Sequence, residues 1–91
     1  MHALRRKIQP LHLSAGEQKR AREAFTRFDG RCQCCGRLDP GFADWCLDHD
    51  HVTMTFRGII CVYCNSMLGM AHDSVKMLLD GVLYLEEKRK L

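Results

Sequence analysis

Apolar positions along this chain fall into two stretches of helical period separated by a β-rich one. Between Ser14 and Gly30, Ala21, Ala24, Phe25 and Phe28 return at helical spacing, while Lys19, Arg20, Glu23 and Arg27 fall largely elsewhere. Ser14 and Glu17 have the spacing of a capping box, in which each side chain satisfies an orphaned backbone donor. A helix is therefore predicted from about Ala15, ended by Asp29-Gly30. From Trp45 to Cys61 the residues turn β-rich, in Trp45-Cys46-Leu47, Val52-Thr53, Thr55-Phe56 and Ile59-Ile60. Two short strands fit, joined by a long and polar connection from Asp48 to Met54. Asn65-Ser66 can open a helix to about Met70, and Asp73 or Ser74 can cap another. Val75, Leu78, Leu79, Val82 and Leu83 follow the i, i+3, i+4, i+7, i+8 template. The last helix is thus predicted to be amphipathic to about Lys88, with its stripe packed on the first.

Length changes the picture first. A chain of 91 residues has room for one small core, and domains of this size often need a staple. No internal repeat or Pro/Gly linker divides it, so 14–91 is expected to form one domain behind a basic arm, 1–13, that holds Pro10 and no clear period. Arg5, Arg6 and Lys7 are not followed by an apolar segment, and no apolar run approaches membrane-spanning length. The expectation is an intracellular protein without a membrane partner, in a phage-infected or bacterial cell. There thiols stay reduced, and the closely spaced pairs among six cysteines are read as holding metal rather than forming disulfides. A net charge of +3 and a pI near 8.6 permit nucleic-acid binding without demonstrating it.

Cys32-x-x-Cys35 and Cys61-x-x-Cys64 are two knuckles able to place four thiolates around one zinc ion. Gly36 suits the tight turn that points backbone N–H groups at the sulfurs. A four-cysteine site has no open position, so this zinc would be structural. Cys34 could replace Cys35, although Cys32 and Cys35 mirror the spacing of the second pair; Cys46 reads as a small buried strand residue. Between the knuckles stands Asp48-His49-Asp50-His51. Strand alternation puts the two carboxylates on one face and the two imidazoles on the other. An incidental polar turn and a second zinc site are the other readings of this segment.

Taken together, Leu47-Asp48-His49-Asp50-His51, Arg57-Gly58-Ile59-Ile60-Cys61-x-x-Cys64-Asn65 and Leu68-Gly69 resemble the core signature of the recombination endonuclease VII family, a branch of the His-Me finger (ββα-metal, HNH-like) nucleases. The match is tightest from Cys32 to Gly69 and looser from about Phe25 to Glu87. The resemblance implies a small α+β fold: a ββα-metal finger with a four-cysteine zinc site, flanked by N- and C-terminal helices. It implies a DNA endonuclease leaving a 5′-phosphate and a 3′-hydroxyl. By position, Asp48 and Asn65 match the ligands of the catalytic Mg2+ or Mn2+, His49 the general base, and Cys32, Cys35, Cys61 and Cys64 the structural zinc ligands. Asp50 and His51 match supporting positions. The roles make physical sense: hard oxygen donors hold a cation that neutralises developing charge, and a mostly neutral imidazole takes the proton of the attacking water.

Arg57 reads equally as a phosphate contact or a solvated strand charge. Met54 departs from the glycine usual there in the family, so a turn of different shape is expected. The better-known resolvase continues into a C-terminal region that builds an intertwined dimer, which leaves junction resolution against duplex nicking open for a sequence ending at Leu91. Arg20, Arg22, Arg27, Lys88 and Arg89 are read as a track for the DNA backbone, with solvated faces as the alternative. A monomer or weak homodimer through Val75, Leu79 and Val82 is expected. His72 and Asp73 lie where the helix could approach the site, and a capping role is the favoured reading of Asp73. A non-catalytic zinc-ribbon module binding DNA or protein is the runner-up. A thioredoxin-like protein lacks its βαβ pattern, and a zinc deaminase its H-x-E and P-C-x-x-C signature.

Overall fold

The computed structural model describes residues 13–89, which form a small α+β arrangement of three helices and one two-stranded antiparallel sheet. The expected basic arm lies outside the described residues except for Leu13, which is buried; Lys90 lies outside them too. Helix α1 spans Ala15–Thr26, and Ser14 caps it by accepting the Glu17 N–H at 3.2 Å. Glu17 does not act as the second half of a local box. Its carboxylate accepts the Phe56 N–H at 2.8 Å and the Arg20 guanidinium at 2.7 Å, tying the helix start to the sheet. The helix ends at Thr26 with Arg27 as its cap, earlier than Asp29-Gly30. The Thr26 hydroxyl donates back to the Glu23 carbonyl at 2.7 Å, a local bond that competes with continued helix.

Strand β1, Cys46–His49, pairs antiparallel with β2, Phe56–Ile60. The partners run Cys46↔Ile60, Leu47↔Ile59 and Asp48↔Gly58, then shift to His49↔Phe56. Arg57 is therefore an extra residue on β2, a bulge that locally re-aims side chains. Val52 and Thr53, read as strand-forming, belong to the turn between the strands. Ile59 is fully buried, worth roughly 1.5–3 kcal/mol. With Phe56 it packs on Ala21 of α1, flanked by Ala24, Phe28, Trp45 and Leu47. The Phe28 ring meets Trp45 edge-on at 4.9 Å. Gln33 closes the Ile59 backbone: its N–H donates to the Ile59 carbonyl at 3.0 Å and its Oε1 accepts the Ile59 N–H at 2.9 Å. That contact explains Gly58, where any Cβ would come within 2.8 Å of the Gln33 Oε1.

Helix α2 spans Val62–Met70, beginning three residues before Asn65. The early start has a physical cause: the Cys61 sulfur serves as N-cap and accepts the Cys64 N–H at 3.4 Å. The helix closes in a Schellman arrangement, with the His72 N–H on the Gly69 carbonyl and the Asp73 N–H on the Leu68 carbonyl. His72 takes the left-handed position usually given to glycine, with φ of 54°, and Asp73 follows at 57°. Helix α3, Val75–Arg89, is capped by the Ser74 hydroxyl, which accepts the Met77 N–H at 3.0 Å; Ser74 rather than Asp73 has this role. The expected burial of α3 against α1 is not found. None of its residues is buried, and Val75, Leu79, Val82 and Leu83 all stand exposed. No helix among the described residues is long and apolar enough to cross a membrane.

Candidate functional site

The four knuckle cysteines converge as their spacing predicts. The sulfurs of Cys32, Cys35, Cys61 and Cys64 all lie within 4.8 Å of one another, with Cys35 and Cys61 at 3.9 Å. Sulfurs placed tetrahedrally at 2.3 Å from a zinc ion would stand about 3.8 Å apart, so the spacing suits such an ion. Cys34 is exposed and outside the set; Cys46 is buried, as a strand residue. Burial pushes the Cys32 thiol up, but the N–H groups of Cys35, Cys61 and Cys34 outweigh it and bring it down to about 6. The Arg37 backbone N–H lowers Cys35. Burial and the crowded sulfurs push Cys64 up. Four thiolates cannot share this space without a cation, and these cysteines are positioned to bind a metal.

At the other end of the same strands the chemistry is oxygen and nitrogen. The side chain of Asp48, only 11% exposed, receives Arg57 in a two-pronged grip: Nε to Oδ2 at 2.6 Å and Nη2 to Oδ1 at 3.1 Å. The bulge at Arg57 sets the two side by side. Asp73 joins from beyond α2, its Oδ1 at 3.3 Å from Arg57 Nη2 and its Oδ2 at 3.5 Å from His51 Nδ1. The hydrogen bond to Asp48 and then that to Asp73 hold the Arg57 guanidinium well above its usual range, against burial. Arg57 is thus ion-paired rather than merely solvated. His49, at the end of β1, lies ring to ring at 4.7 Å with His51, which stands in the turn beyond the strand, so strand alternation is not what pairs them.

Asp50 proves to be a turn former. Its Oδ1 accepts the N–H groups of Val52 at 2.7 Å and Thr53 at 2.9 Å, which hold its carboxyl below the usual range. Met54 adopts φ of 59°, a left-handed conformation that favours glycine. Left-handed backbone at Met54, His72 and Asp73 costs about 1 kcal/mol or more at each. Asn65 sits half-buried in the first turn of α2, which packs against β1. A cleft of about 370 Å³, lined by His51, Val52, Gly69, His72 and Asp73, opens beside this cluster. Arg20, Arg22 and Arg27 lie exposed along α1, and Lys88 and Arg89 in the last turn of α3, on separate elements. Arg20 is paired with Glu17. Spacing favours a capping role for Asp73 over an approach to the site; the structure gives the cap to Ser74 and turns the Asp73 carboxylate to Arg57 and His51.

The profile of the family described as recombination endonuclease VII matches residues 5–87. Similar proteins include the Gene 59 protein of Mycobacterium phage D29, 39% identical over 59 residues, which are 64% of this chain and 36% of that protein. Another is the Gene 59 protein of Mycobacterium phage L5, 37% identical over 57 residues, 62% of this chain and 35% of that protein. The aligned part thus spans little more than a third of the length of these curated relatives. No solved structure matches.

Proposed function

The chain belongs to the recombination endonuclease VII family, and from that premise we propose that it is a divalent-metal-dependent DNA endonuclease. In this reading β1, β2 and α2 are a ββα-metal finger of the His-Me type, held by a structural zinc on Cys32, Cys35, Cys61 and Cys64. The observation that carries it is Asp48: a largely buried carboxylate that already grips a cationic group with both oxygens. Carboxylate and amide oxygens suit a hard ion, and Asp48 with Asn65 would hold Mg2+ or Mn2+. Such an ion supplies charge neutralisation at the phosphate and the leaving oxygen.

The chain's own residues do the rest. His49 accepts the proton of the attacking water, a role for an imidazole whose ordinary pKa lies near about 6.5. His51, paired with Asp73 and stacked near His49, shapes the face from which that water arrives. The cleft beside His51 and His72 receives the backbone next to the cut. Arg20, Arg22, Arg27, Lys88 and Arg89 attract DNA electrostatically, so affinity falls steeply with salt. The products are a 5′-phosphate and a 3′-hydroxyl. The chain acts as a monomer on duplex DNA or as a weak dimer on branched DNA, inside an infected bacterial cell as its phage relatives suggest.

Supercoiled plasmid and a synthetic four-way junction, each with and without magnesium, test the reading. Magnesium-dependent nicking of the plasmid supports a duplex nuclease, and paired cuts in the junction support a resolvase. Binding of DNA without cleavage under any divalent ion leaves a zinc-stapled binding module and overturns the proposal.

A further inference from the structure

Asp73 stands at the entrance of α3 without capping it. Ser74, one residue later, takes the capping bond of α3. Asp73 is left with both oxygens turned toward the hairpin, one on Arg57 Nη2 and one near His51 Nδ1. It reaches them through two successive left-handed residues, His72 and Asp73, a backbone that non-glycine residues keep only where their surroundings over-determine it. Across the same guanidinium, Asp48 takes Nε and Nη2. Arg57 is therefore shared between two carboxylates, and Nη2 touches both.

We propose that Asp73 is a positioning residue of the nuclease site: it is a second berth for the Arg57 guanidinium, letting Arg57 give up the Asp48 oxygens to a divalent cation without leaving the site. The inference rests on reading Asp48 as a metal-holding carboxylate. The same two oxygens cannot serve a guanidinium and a metal ion together, and two cations at that range repel. Without Asp73, Arg57 keeps its ion pair with Asp48 alone, Asp50 feeling its charge without a direct contact, and it competes fully for Asp48. With Asp73, the Nη2 contact already exists, so the exchange needs one side chain to swing and no loop to move. Asp73 also lines the cleft beside the site, and retention there keeps the guanidinium next to the path of the DNA backbone.

The test is Mn2+ affinity, read by electron paramagnetic resonance of the free ion, on the zinc-loaded full chain without DNA. Arg57→Gln should tighten Mn2+ about fivefold or more by removing the competitor. Asp73→Asn should weaken it by a similar factor, because Arg57 then stays on Asp48. In the Arg57→Gln background, Asp73→Asn should lose most of its effect, the signature of a residue acting through another. Asp73→Gly, which relaxes the left-handed backbone while removing the carboxylate, should match Asp73→Asn; zinc content confirms folding in each. An equal loss with and without Arg57 would mean that Asp73 acts on the ion directly and would overturn the proposal. So would an Mn2+ affinity indifferent to Asp73. Asp48→Asn separates this failure from that of the wider reading. If Mn2+ binding does not depend on Asp48, the metal-site assignment falls and the berth with it; if it depends on Asp48 but not on Arg57 and Asp73, only the berth falls.

Discussion

The two ends of one strand pair are built on opposite principles. At the Cys46↔Ile60 end both partners are buried, and the sulfurs of two knuckles crowd together under a cap of backbone N–H donors. At the His49↔Phe56 end the ladder shifts by a residue, and polar side chains partly open to solvent take over: the ion-paired Asp48, Arg57 and Asp73, with His51 beside them. Geometry at the sulfur end is set by packing and by ligands with one task. Geometry at the polar end is set by ion pairs, whose members can be exchanged for other charges. A small domain can therefore keep a fixed frame and a rearrangeable site within two strands of four and five residues.

The sharpest way to break this contrast is to remove the metal from the sulfur end. Structural zinc contributes on the order of 10 kcal/mol in small domains. Chelation, or Cys61→Ser, should unfold the chain and abolish far-UV helicity at both ends. Retained helicity with no zinc by elemental analysis would show that the apolar packing suffices alone.

The polar end should behave in the opposite way. His49→Ala is expected to lower cleavage about a hundred- to ten-thousand-fold with zinc content, helicity and DNA affinity unchanged. Cleavage at the parental rate would remove His49 from the chemistry. Between the two ends lies Gly58, where a methyl group must push into Gln33. Gly58→Ala should cost roughly 1–3 kcal/mol in denaturant unfolding, and Gly58→Ala with Gln33→Ala should recover part of it.

Smaller effects sharpen the comparison at the tip. Met54→Gly should be neutral or stabilise by up to about 1 kcal/mol, since glycine reaches the same φ without a Cβ penalty, offset by its greater freedom when unfolded. Asp50 gives a pH handle. Its folded pKa is depressed by the Thr53 and Val52 N–H groups, so its contribution is fully present above the ordinary aspartate value and lost as pH falls through the depressed one. Because acid also strips thiolate-held zinc, the clean readout is Asp50→Asn at neutral pH: amide exchange at Val52 and Thr53 should lose protection, while Cys61 and Val62 stay protected. Simultaneous loss at both ends would deny their independence.

Local rules made part of this molecule legible. The knuckles, the Ser14 cap, the strand pair and the helical stretch from Val75 each follow from spacing a few residues long. What escaped depends on partners distant in sequence. The Glu17 carboxylate looked like half of a capping box, yet it serves Phe56 across the fold. Cys61 doubles as a helix cap, which moved the start of α2 ahead of Asn65. Amphipathic periodicity foretold the α3 helix and not its burial, because a stripe specifies a face and not what meets it. At the candidate site, Asp48, His49 and His51 could be picked out by residue type and order, whereas the contacts of Asp73, which spacing favours as a cap, required knowing that two non-glycine residues turn left-handed.

The extra residue at Arg57 has a consequence for how such chains can vary. Strands keep parity: adding or removing one residue exchanges the inward and outward faces of everything beyond it. The bulge absorbs one such step between Asp48 and His49, so the phase of the tip is already uncoupled from the phase of the cysteine end. A hairpin connection that lengthens or shortens can then re-seat itself without moving Ile59, Ile60 or Cys61 out of step, leaving the tip open to evolutionary change at little risk to the frame.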